Sequence, residues 1–326
     1  MKRVLSGIQP TGDLHLGNYF GMMSRMIKYQ KENDLFCFIV NYHALTSIKS
    51  KDELAGNTLN AAIDFMALGL DPDLSTFWIQ SDVPQVCEST WLLSNIVNVG
   101  ALDRATSYKN KIAKGLQANV GLYSYPILMA SDILLFGGEV VPVGKDQKQH
   151  IEITRDIAIR FNQTYEDIFI IPEPDIDESA ELIPGIDGQK MSKSYGNTIP
   201  IFGQEKFIRK KFMSIVTDST DIEKPKNIDT ALFNLYSLFL NNQEKEELAE
   251  RFKTPGMRYG DIKQELFECF WAEFSPYREK RDYLEKHKDY VLQKLKEGSI
   301  KASAVADTYL KKLRDVMGLK YGINDV

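Results

Sequence analysis

Cysteine is scarce in this chain. Cys37, Cys87 and Cys269 are too few and too scattered for a disulfide framework, and none has the close spacing of a cysteine-ligated zinc or iron–sulfur site. Each is expected to be buried as a small apolar residue. Long apolar runs are lacking as well, and no segment approaches the ~18 residues of a membrane span. Met1-Lys2-Arg3 starts as a signal peptide does, but Gly7, Gln9 and Pro10 end the apolar stretch too soon. A cytoplasmic protein with no membrane partner is expected. Internal repeats and low-complexity tracts are absent. Positive charge is in deficit: 40 Lys and Arg stand against 45 Asp and Glu, a net charge of −5. DNA is not an expected partner; phosphate binding depends on a local patch rather than on the total charge. Between Tyr277 and Asp315 there is such a patch, 11 Lys and Arg against 7 acids for a local +4, which leaves −9 elsewhere. Much of that deficit lies between Arg160 and Lys190, where eight acids stand without a base.

The chain of 326 residues, 43% hydrophobic and 26% charged, has the composition of a soluble globular protein of about two domains. Strand-like runs at Val4–Ile8, Leu35–Val40, Thr76–Ile79 and Glu139–Val141 alternate with helical stretches near 15–29, 52–69 and 86–98. Helices are also predicted over 123–136 and 145–162. The alternation predicts an α/β fold, a Rossmann-like doubly wound parallel sheet. Strand signals stop after residue 200, where 204–217, 229–240, 243–253, 258–274, 276–297 and 301–316 read as amphipathic helices. A catalytic domain over 1–200 and an all-helical domain over 201–326 are expected, joined at Ile199-Pro200-Ile201-Phe202-Gly203.

Two segments carry chemistry. Lys190-Met191-Ser192-Lys193-Ser194 places two cations three residues apart in a loop flanked by Gly185, Gly188 and Gly196, an arrangement suited to a polyphosphate. At the other end, the buried-strand pattern Val4–Ile8 breaks at Pro10, Gly12 and Asp13, and a helical pattern begins at His15. A strand, a tight turn and a helix start offer backbone N–H groups to phosphate. His15 and Asn18, three apart, can face one ligand, and Gly17 lets it approach the backbone.

His15-Leu16-Gly17-Asn18 together with Lys190–Ser194 resembles the signature pair of class I aminoacyl-tRNA synthetases. Gly7–Gly12, Tyr42–Thr46, Asn119–Tyr123, Met129–Leu135 and Val141–His150 narrow the resemblance to the bacterial tryptophanyl-tRNA synthetases, from residue 3 to about 200. The resemblance implies activation of tryptophan by ATP with Mg²⁺, no protein-ligated metal, transfer to tRNA(Trp), and a homodimer. It assigns Lys190 and Lys193, with His15 and Asn18, to catalysis. Gln9, Pro10, Thr11, Gly17, Gly144, Lys145, Asp146 and Ile183 are assigned to ATP along with Met191, Ser192 and Ser194. Asp132 is expected to accept the indole N–H, which has no acceptor capacity of its own. Tyr125 and Met129 share its helix face at i, i+4, i+7 spacing. Tyr125 and Gln147 are expected at the ammonium group, with His43, Val141 and Val143 as walls. The helical domain is expected to read the anticodon, and a helical insertion around 85–122 carrying Trp91, Leu92, Leu93, Ile96 and Val97 suits a dimer interface or a buried core equally. Three rivals share parts of the pattern: a tyrosine-activating relative, a small-molecule adenylyltransferase, and a non-catalytic protein binding tRNA or tryptophan.

Overall fold

The computed structural model describes residues 1–10, 12–104, 115, 118–176 and 183–321. Two compact units divide the chain: Met1–Gly12, Met26–Asp177 and Leu284–Val326 form the first, Asp13–Arg25 and Glu178–Tyr283 the second.

The first unit is built on five parallel strands, β1 (Arg3–Ile8), β2 (Asp34–Ile39), β3 (Thr76–Ile79), β4 (Val140–Val143) and β5 (Glu173–Ile176), in the order β3-β2-β1-β4-β5. The expected Rossmann-like doubly wound sheet is present. β2 reads Asp-Leu-Phe-Cys-Phe-Ile and is buried along almost its whole length, as a parallel strand covered on both faces must be. β5 is a strand that the sequence pattern does not announce. It reads Glu-Pro-Asp-Ile, lies within the acid-rich stretch, and pairs with β4 at the sheet edge, where proline is tolerated.

Helices follow in chain order. α1 (Leu16–Asn18) continues through a π-helical turn, Tyr19–Met23, into α2 (Ser24–Glu32). α3 (Asn41–Ala44), α4 (Lys51–Ala67), α5 (Gln85–Ser94), α6 (Val99–Asp103), α7 (Val120–Leu134) and α8 (Lys148–Thr164) alternate with the strands. α9 (Glu205–Met213), α10 (Ala231–Ser237), α11 (Asn242–Lys253), α12 (Tyr259–Glu273), α13 (Ser275–Lys286) and α14 (Lys288–Val316) follow.

α14 departs from expectation in two ways. Its 29 residues form one helix rather than two, and it belongs to the sheet-bearing unit, not with the other C-terminal helices. A boundary near residue 200 therefore does not match the compact units. The physical reason lies in a face of small residues, Gly298, Ser299, Ala302 and Ala306, all buried. A Cβ on Gly298 would sit 1.9 Å from the Phe77 carbonyl oxygen, so only glycine lets the helix lie against β3. Lys294 to Asp73 at 2.7 Å and Arg314 to Glu88 at 2.6 Å fasten the exposed side. The buried Leu295, Leu310 and Leu313 add roughly 2 kcal/mol each by apolar area. Of the cysteines, Cys37 is buried, Cys269 half-buried and Cys87 exposed, so Cys87 departs from the expected burial.

In the second unit, α9 to α13 close over an aromatic core. Phe212, Phe252, Phe270 and Phe274 are fully buried, and the Phe270 ring lies 5.0 Å from those of both Phe212 and Phe274. Tyr19 and Phe20 join this core, with Tyr19 5.0 Å from Phe274 and Phe20 5.4 Å from Phe239. Those contacts explain why residues 13–25 belong with the helical bundle despite their place in the sequence.

Candidate active site

In the second unit the two signature segments, some 175 residues apart in sequence, are stitched into one structure. Leu16 N–H donates to the Ile199 carbonyl at 3.0 Å, Ile201 N–H donates to the Leu14 carbonyl at 3.0 Å, and His15 bridges to Pro200. Met191 is buried, and its sulfur lies 3.3 Å from the Gly17 nitrogen. A Cβ on Gly17 would fall 3.0 Å from His15 Nδ1 and 3.3 Å from the Met191 Cβ, which accounts for glycine there. Asn18 Oδ1 accepts from His15 N–H at 3.1 Å and holds the helix start.

The lysine loop takes its shape from a residue that the sequence pattern does not single out. Asn197, 2% exposed, accepts from Ser192 N–H at 2.8 Å and donates to the Lys190 carbonyl at 3.0 Å and to Asp187 at 2.7 Å. Gly185 has no room for a side chain, since a Cβ would meet the Asn197 amide at 2.4 Å. Gly196 turns the chain at φ +67°, in the left-handed region that favours glycine. Thus braced, Lys190, Lys193 and Ser194 are exposed, Ser192 is half-buried, and the two serine hydroxyls stand 2.9 Å apart. Ile183 is buried, its carbonyl taken by Met191 N–H at 2.8 Å. Thr11 lies outside the described residues.

His15 is buried, and its Nδ1 has no hydrogen-bond partner among the described residues. Burial first, and the Lys193 ammonium second, lower its pKa from 6.5 to about 4. The imidazole is therefore neutral at physiological pH. The unfolded chain binds this proton below pH 6.5 and the folded chain only near 4, so folding stability must fall as pH drops through that window. We expect wild type to lose more stability than His15→Asn between pH 7.5 and 4.5, by up to about 3 kcal/mol, measured by urea unfolding. Equal losses in the two proteins would show that His15 is not held neutral by its surroundings.

In the first unit a second polar cluster draws on residues just past the carboxyl ends of β2, β3 and β4, in a sheet whose order reverses between β1 and β4. The carboxyl end of the strands is the side on which a doubly wound sheet usually binds its ligand. Asn119 caps α7, accepting from Leu122 N–H at 2.8 Å, and the helix carries Tyr125, Met129 and Asp132. Asp132 is 2% exposed and satisfied. His43, on α3 after β2, donates from Nε2 at 2.8 Å, and Gln80, directly after β3, donates Nε2 to both carboxylate oxygens at 2.8 Å. Gln80 is itself fixed, its Oε1 accepting from Tyr42 N–H at 3.0 Å. A carboxylate accepts about four hydrogen bonds, so capacity remains for a ligand donor. His43, expected as a wall, is thus also a hydrogen-bond partner of Asp132.

Tyr125 hydroxyl meets His150 Nε2 at 2.8 Å, and His150 Nδ1 meets Gln147 Oε1 at 2.8 Å. Because the amide oxygen only accepts, Nδ1 carries the proton and Nε2 accepts from the tyrosine. Val141 is buried, while Val143 and Met129 are partly buried and pack on the same core. Gly144, Lys145 and Asp146 form the exposed turn that leads to α8, and a Cβ on Gly144 would fall 2.7 Å from Asp146 Oδ1. Asp146 also accepts from Gln147 Nε2 at 2.8 Å. Gln9, exposed, and Pro10, buried, follow β1. Gln80 and His150 were not singled out by sequence; the usable signal for Gln80 was its position just past a strand end.

Each cluster can do specific chemistry. The second unit offers two exposed ammonium groups and two hydroxyls to an oligophosphate, beside the buried His15 imidazole. The first offers a buried carboxylate among apolar walls to an aromatic ring bearing an N–H. Among the described residues, no group of three or more His, Cys, Asp or Glu could hold a metal ion.

The family model of the class I tRNA synthetases (W and Y) matches residues 1–275. The tryptophan–tRNA ligase of Fusobacterium nucleatum is 51% identical over 320 residues, 98% of each chain. The crystal structure of tryptophanyl-tRNA synthetase from Campylobacter jejuni complexed with ADP and tryptophan is similar at a TM-score of 0.92 and 47% identity, covering 97% of this chain and 99% of its own. With a lysine loop, a His-Leu-Gly-Asn turn and a doubly wound sheet in place, the chain belongs to the class I tRNA synthetases (W and Y), among the bacterial tryptophan–tRNA ligases.

Proposed function

We propose that this enzyme, a tryptophan–tRNA ligase, takes the indole of L-tryptophan at Asp132 and the phosphates of ATP at Lys190–Ser194, His15 and Asn18. The observation that carries the amino-acid reading is the buried Asp132 carboxylate, oriented by His43 and Gln80 with acceptor capacity to spare. A tryptophan carboxylate oxygen attacks the α-phosphorus, the bond to the bridging oxygen breaks, and pyrophosphate leaves with tryptophanyl-adenylate formed. A carboxylate is already a competent nucleophile, so no general base is required. Positioning and stabilisation of phosphate charge supply the catalysis. Mg²⁺ would accompany the ATP phosphates. A terminal ribose hydroxyl of tRNA(Trp) then attacks the activated carbonyl and AMP leaves.

Tyr125 and Gln147, aligned through His150, would receive the ammonium group. Gln9, Pro10, Thr11, Gly17, Gly144, Lys145, Asp146 and Ile183 would complete the ATP site, with Asp146 suited to a ribose hydroxyl. The helical unit would read the anticodon. Charging of a tRNA transcript bearing the tryptophan anticodon with labelled tryptophan tests the whole reading. Acid-precipitable tryptophan is expected; its absence alongside intact adenylate formation would remove tRNA from the reaction.

A homodimer is part of the proposal, supported by Trp91, Val99 and Val120, which expose 69%, 65% and 81% of their surface in the single chain. Apolar side chains this exposed suit a partner surface. Sedimentation at micromolar concentration should give twice the 37.2 kDa chain mass. A single-chain mass there would refute the dimer and leave the active-site reading intact.

A further inference from the structure

The segment that follows the lysine loop carries a second chemistry. α9 reads Glu-Lys-Phe-Ile-Arg-Lys-Lys-Phe-Met: four bases against one acid in nine residues, within a chain whose net charge is −5. Its inner side is apolar, with Ile208 and Phe212 fully buried against α12. Lys206, Lys210 and Met213 share the outer face at i, i+4 and i+7 spacing, Phe207 lies beside them three residues before Lys210, and all four are exposed. Phe207 keeps 53% of its surface in solvent. Arg209 is exposed and lies over the Phe267 ring at 5.9 Å, while Lys211 lies 5.8 Å from the Phe207 ring. None of the four bases forms an ion pair with a described residue.

The placement of α9 in its unit gives this face a setting. Before the helix, Ile199–Ile201 pairs with Leu14–Leu16; after it, Val216 N–H donates to the Ile186 carbonyl at 2.7 Å. Both ends are thereby fastened to the segments that carry His15 and Lys190. Elsewhere in the same unit a groove of about 810 Å³ has the opposite charge, with Glu246, Glu247, Glu250, Asp261 and Glu265 outnumbering Arg251 and Arg258. A polyanion meeting this unit is repelled at the groove and attracted at α9.

We propose that the outer face of α9 is a tRNA contact surface, with Lys206 and Lys210 on backbone phosphates and the Phe207 ring under an unstacked base. Lysines beside an exposed aromatic ring match what single-stranded nucleic acid offers, a charged backbone and a π-face on every base. This assignment rests on the ligase reading and deepens it by naming one surface of the helical unit that would meet the tRNA. The test is equilibrium binding of an uncharged tRNA transcript bearing the tryptophan anticodon to the full-length protein, over a series of salt concentrations. ATP–pyrophosphate exchange with tryptophan is run on the same preparations. Lys206→Glu with Lys210→Glu should weaken tRNA binding tenfold or more and lower the salt slope by about two, leaving exchange unchanged. Phe207→Ala should weaken binding about fivefold or more without changing the slope. Unaltered affinity and slope in the double variant, with exchange intact, would overturn the proposal. If the charge reversal itself impairs exchange, Lys206→Gln with Lys210→Gln decides by the same two readouts. Loss of exchange in the unmodified protein would instead strike at the ligase reading, a separate failure.

Discussion

Asp132→Ala is expected to lower tryptophan-dependent ATP–pyrophosphate exchange, as kcat/KM, by a factor of 10² to 10³. The size follows from what the residue faces. Asp132 is buried, and an indole N–H brought to it has no water to turn to, so removal of the acceptor leaves a desolvated donor. A charge-assisted hydrogen bond plus that penalty amounts to about 3 to 4 kcal/mol, which converts to the stated range. The Gln80 amide also loses its acceptor, and part of the cost would then appear as lower stability. A cycle separates the two effects. Wild type should discriminate strongly against an analogue with sulfur in place of the indole N–H, and Asp132→Ala should discriminate little. Equal discrimination in both proteins would remove Asp132 from indole recognition.

The second large effect concerns Lys193. Lys193→Ala should slow adenylate formation at least tenfold while tryptophan binding, followed by calorimetry, changes little. Charge accumulates on the departing pyrophosphate in the transition state, and an ammonium placed there stabilises it more than it stabilises bound substrate. The same ammonium helps to hold His15 neutral, although burial is the larger cause. Lys193→Ala should therefore leave the His15 pKa low, and an NMR titration of that imidazole checks that the variant site is still formed. Unchanged turnover in the variant would take Lys193 out of the mechanism.

Much of this protein is legible in its sequence, because its chemistry resides in local strings. A strand, a glycine turn and a helix start made the His15 segment readable, and the lysine pair made its partner loop readable. What could not be read was which residues hold those strings in place. Asn197 and Gln80 act through contacts set by the tertiary structure, and an amide side chain has no local pattern that announces a buried partner. β5 escaped because Glu173-Pro174-Asp175-Ile176 lacks strand propensity and pairs only at an edge. By its position in the chain α14 reads as part of the C-terminal helical domain, whereas its face of Gly298, Ser299 and Ala302 fits β3 of the first unit. Residues 13–25 joined the helical unit for a similar reason, since Tyr19 and Phe20 found aromatic partners there. Cys87 shows the limit of residue-type averages: it is exposed although cysteine is usually buried.

The central claim is that this chain makes tryptophanyl-adenylate, with Asp132 choosing the amino acid. ATP–pyrophosphate exchange without tRNA, run separately with tryptophan and with tyrosine, tests it most directly. Exchange with tryptophan and none with tyrosine is the predicted result. Exchange driven by tyrosine would contradict the pocket assignment while sparing the phosphate site, and silence with both amino acids would contradict the adenylate mechanism itself.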